Sequence, residues 1–160
     1  MTSFEDVVMS EKIASTKWRI IVTWQKKPKD LDSHTKFGDC DVYHGKKTCD
    51  NGVSGVLDLD NTDNTAEQKP ETTTIEADPS KCVNNCMIYF RVNNYSKESP
   101  LSESQATVQV IHGNQQVESF EIGKAGNGAG VVKDHDWYVF AIDAKSGKVI
   151  ACTDAQTKHV

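Results

Sequence analysis

The stretch GVLDLDNTDNT, Gly55 to Thr65, sets Asp58 and Asp60 two residues apart at the end of an apolar run and follows them with Asn61, Thr62, Asp63 and Asn64. Two chemistries use such a spacing. In a phosphoryl-transfer loop of the form D-x-D-x-T, the first aspartate attacks phosphorus, the second moves the proton, and Mg²⁺ screens the charge. In a calcium loop, carboxylate, amide and backbone oxygens fill the shell of a hard cation, about six to eight of them, and irregular backbone is tolerated. A metal-dependent hydrolase of the first kind would draw on Asp58, Asp60 and His34, and would need a deep pocket with a perturbed acid beside an open metal position.

The surroundings favour calcium. The phosphatase motif belongs on a parallel α/β sheet with a helix after the loop. Here the residues after Asp60, NTDNTAEQKPETTTI, run into another strand pattern, and no GDxxxD follows. A second stretch, KPKDLDSH, repeats the spacing at Asp30 and Asp32, so two loops each offer a carboxylate pair, with Leu31 and Leu59 between them as expected core anchors. Brought to one end of a scaffold, Asp30, Asp32, Asp58, Asp60 and Asp63 would raise one another's pKa and destabilise the fold until a cation arrives. An EF-hand is excluded, because the D-x-D-x-D-G loop and its closing glutamate are missing. The competing reading is that these are solvated turn residues, which Asx-turn chemistry favours, in a purely structural protein.

The elements that must position these loops are strands. From Trp18 onward apolar residues recur with period two: Trp18, Ile20, Val22 and Trp24 share one face of WRIIVTW, and CMIYFRV, ATVQVIH, QQVESFEIG and DWYVFAID alternate in the same way. Gly113-Asn114 and Ala144–Gly147 read as hairpin turns. With LDSHTKF, DVYHG, VSGVLDLD and TTTIEA, the pattern predicts an all-β, two-sheet antiparallel β-sandwich of about nine strands. It would occupy residues 18–160 as one domain behind a short N-terminal extension, 1–17, in which SFEDVVMSEKIAS has a possible helical spacing. The glycine-rich GKAGNGAG, Gly123 to Gly130, lacks the Lys-Ser/Thr ending of a phosphate loop and reads as a connection between strands.

Charge narrows the partners. Of the net charge of −5, the whole surplus lies between Asp30 and Asp63, where eight aspartates face three lysines. The balanced remainder argues against nucleic acid, and no apolar run approaches the ~20 residues of a membrane span. The first residues mix acids into apolar positions, unlike a secretion leader, which leaves a cytoplasmic protein or an extracytoplasmic one with its leader removed.

Read together, WRIIVTWQKKPKDLDSH, DVYHG, VLDLDNTDN, PETTTI and YFRVNNYS resemble the YfaP-like family of uncharacterised bacterial proteins. The resemblance implies an extracytoplasmic β-sandwich module, often beside adhesion-type domains and without established catalytic activity. Its motif positions fall on Asp30, Asp32, Ser33, His34, Asp58, Asp60 and Glu71, which adds Glu71 to the expected metal ligands.

Five cysteines leave at least one unpaired within the chain. Cys40 with Cys49 would clip a loop and Cys82 with Cys86 would bracket a turn; a zinc tetrahedron of Cys40, His44, Cys49 and Cys82 or Cys86 is the looser alternative. Tyr89, Arg91, Tyr95 and Tyr138 fall on outward faces, where rings make contact platforms. The expectation is therefore a non-catalytic, Ca²⁺-binding sandwich for binding or adhesion to a glycan or protein surface.

Overall fold

The computed structural model describes residues 15–62, 70–82 and 86–160. The possible helix near the N-terminus, up to residue 14, and Asp63 lie outside the described residues. The rest forms two antiparallel sheets packed face to face. One holds β1 (Lys17–Thr23), β4 (Thr48–Asp50), β5 (Val53–Leu59), β6 (Glu71–Ala77), β8 (Thr107–His112) and β9 (Gln115–Glu121), in the order β4-β5-β6-β1-β8-β9. The other holds β2 (Leu31–Phe37), β3 (Cys40–Val42), β7 (Met87–Asn94), β10 (Val131–Lys133), β11 (Asp136–Asp143) and β12 (Lys148–Ala151), in the order β10-β11-β7-β2-β3, with β12 also on β11. No described helix is long and apolar enough to cross a membrane.

The sandwich is as the alternation predicts, with twelve strands among the described residues in place of about nine. The strands without a sequence pattern are β4 and β10, three residues each, recruited to sheet edges by their neighbours. On β1, Trp18, Ile20 and Val22 turn into the core while Arg19 and Ile21 turn away, because successive side chains alternate across the sheet. Ile88, Phe90 and Val92 of β7 face them from the other layer, and Phe140 stacks on Phe90 and Phe120 with ring centroids 5.2 and 5.3 Å apart. Each such buried side chain contributes about 1.5–3 kcal/mol relative to exposure.

Two local features set the backbone near the functional end. A bulge on β5 makes Leu57 and Leu59 oppose successive residues Thr73 and Thr72, so Asp58 is an extra residue in the ladder. Two residues then turn outward in succession, and Leu59 is 43% exposed instead of anchoring the core; Leu31, its expected counterpart, is buried. The glycine-rich connection is closed by Trp137, whose Nε1–H donates to the Ala129 carbonyl. Gly130 there has φ +82°, and a Cβ would meet the Tyr138 carbonyl at 2.2 Å, so no other residue fits.

Candidate metal centre

The start of β2, the start of β6, the end of β5 and the end of β7 all meet at one end of the sandwich, since β2 pairs β7 with Leu31 opposite Asn94 and β5 pairs β6 with Leu59 opposite Thr72. That end gathers the acids. One ligand oxygen each from Asp32, Asp60 and Glu71 lies within 4.8 Å of the others. Two oxygens that touch one Ca²⁺ at about 2.4 Å can be at most about 4.8 Å apart, so this spacing suits a single shared cation.

Glu71 reaches across from β6 to the opposite sheet. Its Oε1 accepts the Ser33 backbone N–H at 2.7 Å and the Ser33 hydroxyl. Its Oε2 has no partner although the residue is 1% exposed. Burial, followed by the charges of Asp32 and Asp60, pushes the carboxyl up to about 8 against the lowering effect of the two Ser33 bonds. Asp32 is 3% exposed and is also raised, chiefly by burial. Asp30 is pushed up to about 7 by burial and then by the charges of Asp32 and Asp60. Its backbone is fixed by a reciprocal pair, N–H to Ser96 Oγ and carbonyl from Ser96 N–H, both 3.2 Å.

Among the described residues, four of the six buried polar atoms without a hydrogen-bond partner sit here: Asp30 Oδ1, Asp60 Oδ1, Glu71 Oε2 and His44 Nδ1. Buried polar groups are otherwise almost always satisfied. Their concentration in one place, three of them carboxylate oxygens, fits a divalent cation held by Asp32, Asp60 and Glu71 with Asp30 beside them.

Two basic side chains lie against the acids. Lys47 Nζ lies 3.6 Å from Asp60 Oδ2, and His44 Nδ1 lies 2.7 Å from Asp32 Oδ2 but off the line a hydrogen bond requires. Both belong to the connection between β3 and β4, which turns at Tyr43–Lys46 and is clipped by the Cys40–Cys49 disulfide between the two sheets. Bonded to each other, these cysteines are not zinc ligands. Cys82 pairs with Cys86, and Cys152 is the free, buried fifth. Replacing Cys40 and Cys49 by Ser is expected to cost about 2–3 kcal/mol of stability by releasing this short loop. A urea titration of the double variant against the parent checks it; an unchanged midpoint would show that the clip does not hold the turn.

The expected ligands thus divide. Asp32, Asp60 and Glu71 converge with Asp30 adjacent. Asp58 does not join them: the β5 bulge leaves it exposed, accepting from the Thr74 hydroxyl. His34 turns to Asp41, its Nδ1 3.2 Å from Asp41 Oδ2. The trio of Asp58, Asp60 and His34 that a hydrolase would use is therefore not assembled. Lys47 and His44 carry no sequence signal for this place, because the inter-sheet disulfide that delivers their turn is a tertiary event.

The architecture is similar to the solved crystal structure of unknown function protein SAV2460, with a TM-score of 0.60 over 90% of this chain and 95% of that chain. The identity is 11%, so the likeness is one of fold. A scan against protein-family models finds no match, and no curated protein matches.

Proposed function

We propose that this protein is a non-catalytic, calcium-binding β-sandwich module that attaches to a glycan or protein surface, of the YfaP-like kind its motif series resembles. The observation that carries the reading is the Glu71 carboxyl: buried, with one oxygen unpartnered, and within ligand spacing of Asp32 on β2 and Asp60 just past β5. The all-oxygen donor set supports a hard cation over zinc, which favours nitrogen and sulfur. Ligands drawn from strand ends and an irregular loop support Ca²⁺ over Mg²⁺, which demands near-octahedral geometry. Binding is favoured over catalysis because Asp58 and His34 already have partners away from the acids.

The test is thermal melting in calcium, magnesium, zinc and chelator. With calcium at about a hundred times its dissociation constant, linkage adds about 2.7 kcal/mol. For a chain of this size that raises the midpoint by about 5–10 °C. A midpoint that ignores calcium, or responds to zinc alone, defeats the reading.

A further inference from the structure

The acidic end carries an aromatic lip. Tyr95, just past β7, is 55% exposed, and its ring meets His44 edge-on with centroids 5.1 Å apart. His44 in turn meets Tyr43 edge-on at 5.3 Å, and Tyr43 stacks on His34 at 4.7 Å. The row starts where His44 touches Asp32 and ends at a cleft of about 220 Å³ lined by His34, Lys36, Asp41, Arg91 and Val160.

The backbone holds this row in place. Residue 45 is glycine, and a Cβ there would lie 2.7 Å from the Tyr43 ring, so the ring lies over the turn only because no side chain intervenes. The reciprocal Asp30–Ser96 bonds fix the chain immediately after Tyr95. A fixed set of half-exposed rings is suited to the apolar face of a flat, polar molecule.

The cation shell has room for such a molecule. Three monodentate carboxylates leave a Ca²⁺ short of its about six to eight oxygens. The Asp60 side chain keeps 13% of its surface exposed and that of His44 37%, and His44 is the ring that Tyr95 meets. With the acids already offset by Lys47 and the cation itself, neutral oxygens fit the remaining positions better than further anions do. The cleft at the far end, with Lys36 and Arg91 beside Asp41, offers donors and acceptors together, as hydroxyl groups require.

We propose that the lip is a carbohydrate subsite: a sugar with vicinal hydroxyls completes the calcium shell while its ring lies against Tyr95 and His44. The adjoining sugar extends toward the cleft of Lys36, Asp41 and Arg91. This rests on the calcium reading above and names the ligand class for it.

The experiment applies fluorescently labelled protein, in calcium and in chelator, to an array of mannose-, galactose-, glucose- and fucose-terminated oligosaccharides. Calorimetry follows with the best-bound sugar and its deoxy analogue. The expected result is calcium-dependent binding that the deoxy analogue loses and that Tyr95→Ala weakens by about tenfold, the size of a lost ring contact. The calcium-induced melting shift should be the same in Tyr95→Ala as in the parent. Calcium-stabilised protein that binds no sugar, or binding that survives chelator or Tyr95→Ala, overturns the proposal and leaves the calcium reading standing. An absent melting shift overturns that reading, and this proposal with it.

Discussion

Glu71→Gln is expected to abolish the calcium-dependent rise in melting midpoint while leaving the metal-free protein folded and about as stable at pH 7. In the absence of metal the Glu71 carboxyl is pushed up to about 8, so at neutral pH it carries a proton in the native state. Glutamine copies the shape of that protonated form. Its amide oxygen still accepts from the Ser33 N–H and hydroxyl, which are the contacts that tie β2 to β6 here. What the substitution removes is the ability to become negative and approach a cation. Loss of an outer-sphere partner typically costs about 10–100-fold in metal affinity, so loss of a direct carboxylate should cost at least about a hundredfold. Calorimetric titration with calcium and paired melts supply the readout. A Gln variant that still binds calcium like the parent would remove Glu71 from the shell and with it the main support for the site.

The role of Glu71 also marks how far the residues announce themselves in the chain. The sandwich is visible because half-buried strands alternate, and Trp18, Ile20, Val22 and Trp24 are buried where the period places them. Asp30, Asp32 and Asp60 stand out through a repeated two-residue spacing. Spacing alone treats Asp58 as the equal of Asp60, and the β5 bulge separates them: one residue added to the ladder turns Asp58 to Thr74 and carries Asp60 into the cluster. Bulges come from how two strands settle against each other, so the same residue also frees Leu59, which its pattern assigns to the core. Glu71 has no spacing signal, since it lies eleven residues beyond Asp60 at the head of the next strand, and only the resemblance points to it. His44 and Lys47 are less visible still. They reach Asp32 and Asp60 because a disulfide joins β3 in one sheet to β4 in the other and brings the intervening turn over the acids.

Metal-free protein should lose stability as pH rises from about 4 to about 8, and calcium should cancel that loss. Glu71 stands at about 8 against an ordinary 4.5 and Asp30 at about 7 against 3.8, with burial the leading cause in both and the neighbouring carboxylates adding to it. The native state thus keeps protons that the unfolded chain has already released. Stability from these groups is fully present below the unfolded values and drains away as pH climbs through the folded ones. For a single proton the slope is at most about 1.4 kcal/mol per pH unit. Calcium takes the ionised carboxylates, so its apparent affinity strengthens over the same interval. Midpoints recorded in calcium and in chelator should therefore lie close together near pH 5 and separate steadily up to pH 8, and Glu71→Gln should remove the separation. Two curves that run parallel across this range would mean that the cation binds somewhere other than among these buried acids.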